Sequence, residues 1–265
     1  MPFTQESLEA FKRDGYILLP NTLTTEELNS LRKTCLDHLG EKACFEDCGV
    51  TQPDAFGKIA GMRWLLKHPK IVEAFRFYCG DDLKYCHHSD VHLNKITGWH
   101  KDSCGANDFA AEDGKDYAVY KMAFYLQDHS NGPTALKVYA GSHRTKNLHE
   151  GSLVELRPKV GDSILFDCRI SHCGQDLSVP MKVVRNLMPK TMRSKFFANL
   201  RKWQGQKDKL SVFFTLGRQN RFLDEHVKIT VKRQLRSIGE SEYVMPEEIA
   251  ETVHQAGWGY ATVQV

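Results

Sequence analysis

No stretch of the chain approaches the roughly 18 consecutive apolar residues that a membrane-spanning helix requires. Internal repeats, low-complexity tracts and Pro/Ser-rich linkers are also missing, which favours a single domain over an array. Charge of one sign is scarce: 36 Lys+Arg against 33 Asp+Glu leave a formal net charge of +3. That is too little to argue for nucleic acid or a membrane surface as a partner. No C-x-x-C occurs. The eight cysteines are scattered, Cys44 and Cys48 standing four apart, so reduced, buried thiols in an intracellular protein are expected. The opening "MPFTQESLEAFKRDGY" lacks a basic start followed by an apolar stretch, and the final "ATVQV" matches no common terminal address. A cytoplasmic protein is the expectation. The 265 residues, 41% hydrophobic and 26% charged, suffice for one large core.

What is present changes texture along the chain. Leu8 and Phe11 predict a short amphipathic helix that stops at Gly15 and runs into the strand "GYILLP". Thr24 and Glu27 have capping-box spacing. Leu28, Leu31, Cys35 and Leu39 then keep helical spacing up to Gly40. Residues 41–60 read as loop, and "GMRWLLKHPKIVEAFRFYCG" as one or two helices interrupted at Pro69. From about residue 84 short β-like segments take over, including "KYCHHSDVHLNKI", "YAVYKMAFYLQDH", "DSILFDCRIS" and "KLSVFFTLG". Strands after a helical N-terminal third predict a β-sandwich or barrel with helices packed outside. Residues 181–208 interrupt this pattern as a basic, partly amphipathic insertion with a helix near 191–203. Residues 218–265 are expected to wrap the exterior.

Two His-x-Asp pairs stand out among twelve histidines: His88/Asp90 in "HHSDVH" and His100/Asp102 in "GWHKDS". Residues i and i+2 of a strand point to the same side, so either pair can converge on one ion. An iron(II) that must also bind a chelating co-substrate and O₂ takes two histidines and one carboxylate, leaving positions open. A third ligand from a distant strand is offered by His172, just beyond the apolar strand Ser163–Phe166.

Four segments in order decide between the pairs. "FKRDGYILLPNTLTTEELNSLR", "GWHKDS", "LQDHSNGPTALKVYAGSHR" and "VGDSILFDCRISHCGQDLS" together resemble the phytanoyl-CoA dioxygenase family of Fe(II)/2-oxoglutarate oxygenases, over residues 11–178. The resemblance implies an α+β, mainly β fold: a double-stranded β-helix (jelly-roll, cupin-like) with N-terminal and flanking helices outside. It implies one domain over 1–265, with a helical part to about 83 and a core from about 84 to 217. It assigns the iron to His100, Asp102 and His172. The cofactors are then Fe(II), 2-oxoglutarate and O₂. His87, His88, Asp90 and His92 are left as hydrogen-bonded groups or lining of the pocket mouth, and His143 as the structural histidine of "GSH".

Members of the family anchor the far carboxylate of 2-oxoglutarate on an arginine about a dozen residues beyond the distal histidine. This chain has Lys182 and Arg185 there. Two anchors remain open. If 181–208 is inserted before the last core strand, Lys209 holds the carboxylate, and Ser211, Phe213 and Thr215 share its face. If "KVVRNLM" is that strand, Arg185 does. The better strand is "KLSVFFTLG", which favours Lys209. The implied reaction is hydroxylation of an unactivated C–H bond, or desaturation or cyclisation, with 2-oxoglutarate leaving as succinate and CO₂. Asp102 argues against halogenation, since halogenating relatives carry a small residue there. The basic insertion, as a surface or as a lid, points to a small polar or anionic substrate rather than a long acyl-CoA. Neither nucleic acid nor a membrane is expected as partner, and the chain is read as a monomer or homodimer. Two other classes compete: a metal-binding cupin-like protein without 2-oxoglutarate turnover, and a zinc hydrolase.

Overall fold

Thr4 starts the first helix by accepting a hydrogen bond from the Ser7 amide at 3.2 Å, while its own amide donates to Ser7 Oγ at 3.1 Å. Such reciprocal capping contributes about 1 kcal/mol. The helix, α1 (Gln5–Asp14), ends at Gly15 with φ 81°. The His143 imidazole occupies the space a Cβ there would need, so conformation and packing both require glycine. The computed structural model describes residues 3–42, 44–46, 49–102, 117–131, 134–174, 178–205 and 208–263. Cys48, Ser103, Gly132 of the "NG" turn and Lys207, all singled out above, lie outside them.

After α1 come β1 (Tyr16–Leu19), α2 (Thr25–Lys42), β2 (Cys44–Glu46), β3 (Gly49–Pro53) and the short α3 (Ala55–Lys58). A 3-10 segment, Ala60–Lys67, leads to α4 (Pro69–Cys79), β4 (Lys84–Leu93), β5 (Val119–Tyr125), β6 (Leu136–Ala140) and β7 (Ser152–Leu156). Then follow β8 (Ser163–Asp167), β9 (His172–Cys173), α5 (Val179–Leu187), α6 (Lys190–Trp203), β10 (Leu210–Gly217), α7 (Arg221–Ile238), α8 (Glu247–Gln255) and β11 (Gly259–Tyr260).

The Thr24/Glu27 box forms as expected, with bonds of 2.8 and 3.2 Å. Helix α2 does not stop at Gly40, because an interior glycine costs a helix about 1 kcal/mol without ending it. Pro69 begins a helix rather than interrupting one; at the first position its missing N–H is no loss. The loop expected over 41–60 contains two strands and a helical turn. There β3 pairs antiparallel with β4, and this tertiary partner makes a strand of a locally ambiguous sequence. The basic insertion carries two helices, α5 and α6, where one was expected, and "KVVRNLM" lies in helix rather than strand.

One eight-stranded sheet runs β1-β8-β5-β10-β4-β3-β2 with β11 added on β4, and a three-stranded sheet runs β7-β6-β9. Strands β1, β2, β3 and β11 thus extend the large sheet beyond the 84–217 core expected from sequence. Alternation along the strands sets its two faces. Val212, Phe214 and Leu216 of β10, Met122 and Phe124 of β5 and Tyr85 and Val91 of β4 join Leu28, Leu31, Phe75 and Val253 in a core beneath the helices. On the opposite face Ala123, Tyr125, Ile164 and Phe166 meet Leu136 and Val138 of the small sheet. The apolar contents of this inter-sheet space give way to polar groups around one cavity.

Candidate metal centre and cavity

The site begins with main chain. His100 N donates to His172 O at 3.0 Å and His172 N to His100 O at 2.9 Å, an antiparallel bridge between residues far apart in sequence. Asp102 N donates to Cys168 O at 2.9 Å. These bonds lay the "GWHKD" segment beside β9 and aim three side chains at one point. Donor atoms of His100, Asp102 and His172 all lie within 4.8 Å of one another. His172 Nε2 is 3.3 Å from Asp102 Oδ2, and His100 Nε2 is 3.6 Å from Asp102 Oδ1. Adjacent ligands on an ion with bonds of about 2.1 Å stand about 3 Å apart, so the spacing suits a single ion.

The tautomers suit it too. His100 Nδ1 sits 2.8 Å from Gly98 O and His172 Nδ1 3.1 Å from Ile170 O. A ring nitrogen facing a carbonyl carries the proton, which leaves each Nε2 lone pair turned inward. Desolvation within the cavity and the neighbouring His172 push His100 down to about 4, so the imidazole is neutral at pH 7. Burial opposes ionisation of Asp102, but Lys121 and the two histidines outweigh it and hold its carboxyl well below the usual range. Lys121 Nζ donates to Asp102 Oδ2 at 2.6 Å, and both groups are nearly inaccessible to solvent. Two neutral imidazoles and a carboxylate fit a divalent iron.

The cavity measures about 210 Å³. Lys209 lies in its wall, 9% exposed, with Nζ donating to Ala135 O at 2.6 Å and Gly174 O at 2.7 Å and lying 5.4 Å from the Tyr125 ring centre. Ser211 and Phe213 share its face and line the cavity, whereas Thr215 turns its hydroxyl to His88. Arg185 stands on α5, its guanidinium against Asn186 and outside the cavity lining. The structure therefore brings His100, Asp102, His172 and Lys209 to one cavity and leaves Arg185 out. His143 is buried, within 3.2 Å of Lys12 O. Of the aromatic residues considered for the pocket, only Tyr125 lines it. Trp99 packs on Tyr139, Tyr120 on Phe11 and Tyr117 on Phe222.

Sequence reasoning missed two contributions. Lys121 is an inward-facing lysine in the otherwise apolar "YAVYKMAFYL", a signal that period-2 alternation could have flagged. Arg233, Gln234 and Ser237 of α7 form part of the cavity wall, so the C-terminal segment does more than wrap the exterior. Nothing in its helical pattern distinguishes these positions.

No family model matches the chain. It is 26% identical over 222 residues to the ectoine dioxygenase of Sphingopyxis alaskensis, covering 64% of this chain and 70% of that protein. Among solved structures, EctD of S. alaskensis with 2-oxoglutarate and 5-hydroxyectoine aligns over 81% of this chain and 76% of its own, at TM-score 0.56 and 19% identity. The α-ketoglutarate-dependent carbocyclase SnoK of nogalamycin biosynthesis aligns over 81% and 84%, at TM-score 0.58 and 16% identity. HygX of Streptomyces hygroscopicus, with nickel and 2-oxoglutarate bound, aligns over 82% and 87%, at TM-score 0.59 and 14% identity. The chain is therefore a homologue of an Fe(II)/2-oxoglutarate-dependent dioxygenase of the phytanoyl-CoA dioxygenase-like type, built on the cupin-like double-stranded β-helix of those enzymes.

Proposed function

We propose that this chain hydroxylates an unactivated C–H bond of a small polar metabolite, with His100, Asp102 and His172 holding Fe(II) and Lys209 anchoring 2-oxoglutarate. The observation that carries the reading is the pair of Nδ1–carbonyl contacts, 2.8 and 3.1 Å, which turn both Nε2 lone pairs toward Asp102. When bound, iron with 2-oxoglutarate and O₂ supplies the oxidant, the co-substrate leaving as succinate and CO₂. The protein's part is to bind, orient and exclude water. Lys121 keeps Asp102 ionised and fixes one of its oxygens. Lys209 offers an ammonium pinned by two carbonyls, a point charge where relatives use a planar guanidinium. Phe213, Tyr125 and Leu136 give the cavity apolar walls that keep solvent from a reactive centre.

A lysine anchor is also the feature that favours a cupin-like protein without 2-oxoglutarate turnover, and one experiment separates the two. Purified protein with Fe(II), ascorbate and 2-oxoglutarate is expected to form succinate, with ectoine, the compound in the relative's name, as the first substrate offered. His172→Ala is expected to abolish succinate formation. Lys209→Ala is expected to raise the KM for 2-oxoglutarate at least ten-fold, and Arg185→Ala to leave it unchanged. Metal binding without any succinate would establish the cupin-like reading instead. Loss of 2-oxoglutarate affinity in the Arg185 variant alone would move the anchor to α5.

A further inference from the structure

Strand β4 turns three polar side chains into the cavity side of the large sheet. His87 adopts φ 54°, and the pairing with β10 shifts register opposite it, between Phe214 and Leu216. Gln234 of α7 holds this irregularity by donating to His87 O at 2.7 Å. Beyond it His88, Asp90 and His92 alternate onto one face. His88 Nδ1 lies 2.7 Å from Thr215 Oγ1, and its Nε2 lies 3.1 Å from Asp90 Oδ2. His92 Nε2 approaches the same Oδ2 at 3.7 Å. Arg233 Nη2 stands 3.4 Å from His88 Nε2.

The two Asp90 oxygens are used unequally. Oδ2 faces both histidines, whereas Oδ1 has no hydrogen-bond partner among the described residues, although Asp90 is 91% buried, being 9% exposed, and lines the cavity. An ionised carboxylate accepts at both oxygens, and leaving one unmatched in a buried place is costly. Burial opposes its ionisation, but His88 and His92 outweigh that and hold the carboxyl well below its usual range. A buried anion with an open acceptor calls for a donor, best a cationic one.

The charges around the cavity say what else such a ligand carries. Lys95, Lys121, Lys209 and Arg233 face Asp90 and Asp102. Lys121 is bonded to Asp102, and Lys209 is assigned to 2-oxoglutarate. Asp90 then stands against Lys95 and Arg233. A purely cationic substrate would add to this positive excess, and a purely anionic one would leave Asp90 Oδ1 unmatched. A molecule with both charges answers both.

We infer that the cluster of Asp90, His88, His92 and Arg233 is the substrate-recognition subsite and that the substrate is a small zwitterion. Its protonated nitrogen donates to Asp90 Oδ1, and its anionic group lies toward Arg233. The inference rests on the oxygenase reading and gives the substrate of that site a class.

The test is an anaerobic titration of protein loaded with Fe(II) and 2-oxoglutarate. The probes are the standard amino acids and ectoine, with binding read from the visible absorption of the loaded protein. For every amino acid that binds, the N-acetyl and carboxamide derivatives are titrated alongside, each lacking one charge. At least one zwitterion is expected to bind, and its single-charge derivatives at least ten-fold more weakly. Asp90→Asn is expected to weaken the parent compound at least ten-fold and to close the gap to the N-acetyl derivative. Should that variant fail to fold, the derivative series on the wild-type protein decides alone. Equal affinity for parent and N-acetyl derivative overturns the inference. So does silence of every zwitterion on protein that loads iron and 2-oxoglutarate. Protein that loads neither is a different result, which overturns the oxygenase reading itself.

Discussion

Asp54 shows how far one residue can depart from what its letter implies. It sits at φ 51°, 4% exposed, with its amide 3.3 Å from Gln234 Oε1. Burial raises its pKa to about 7, with Lys58 opposing and Glu240 and Asp90 adding to the rise. The folded chain thus holds a proton that the unfolded chain releases near the ordinary value of 3.8. The stability this contributes is present below about pH 4 and lost as pH rises through about 7, each unit being worth about 1.4 kcal/mol. Asp54→Asn is expected to flatten the dependence of Tm on pH between about 5 and 8 relative to wild type. Parallel curves for the two proteins would contradict the raised pKa. At this scale the sequence exposes spacing and hides burial. His100, Asp102 and His172 were legible because i, i+2 geometry and segment order do not depend on neighbours. The roles of Lys121, Asp90 and Asp54 depend on what folds over them.

At the scale of elements, α5 and α6 form the part least committed to the core. Helix α5 has no buried residue, and Val179 and Leu187 are exposed at 74% and 82%. Helix α6 packs on β3, with Phe197 as a buried side chain at 3% exposure, and β3 supplies Thr51 and Pro53 to the cavity wall. A lid over the cavity is consistent with that placement and with the basic character of the segment. Phe197→Ser is expected to speed tryptic cleavage within residues 179–205 and to increase 2-oxoglutarate consumption without substrate, as water reaches the centre. Faster cleavage with no change in uncoupled turnover would make the helices a surface ornament. The sequence marked this insertion by its charge and its break in β texture. It concealed β2 and β3, which are short and bounded by Gly49 and Pro53, because their strand character comes from β4.

Across the whole molecule, the helical start, the two-sheet core and the order of the site segments were readable, since each follows from periodicity, capping or punctuation. Which sheet each strand joins, and that α7 closes the cavity, follow from long-range pairing that local patterns do not encode. Among the described residues no helix is long and apolar enough to cross a membrane. The buried ion pair of Lys121 and Asp102 carries a consequence for the molecule as a whole. Removing one partner of such a pair costs about 3–5 kcal/mol, because the remaining charge has no answer in the interior. In an Asp102→Gly chain the scaffold would survive, since the His100–His172 bridge is made of main chain alone. Its unmatched ammonium would then select a small anion from solution. Formate or chloride is expected to raise the Tm of that variant by several degrees more than that of wild type at matched ionic strength. An equal response of the two proteins would mean that Lys121 finds another partner. The lysine that serves the metal carboxylate thus makes the protein interior a latent halide receptor, one substitution away from use.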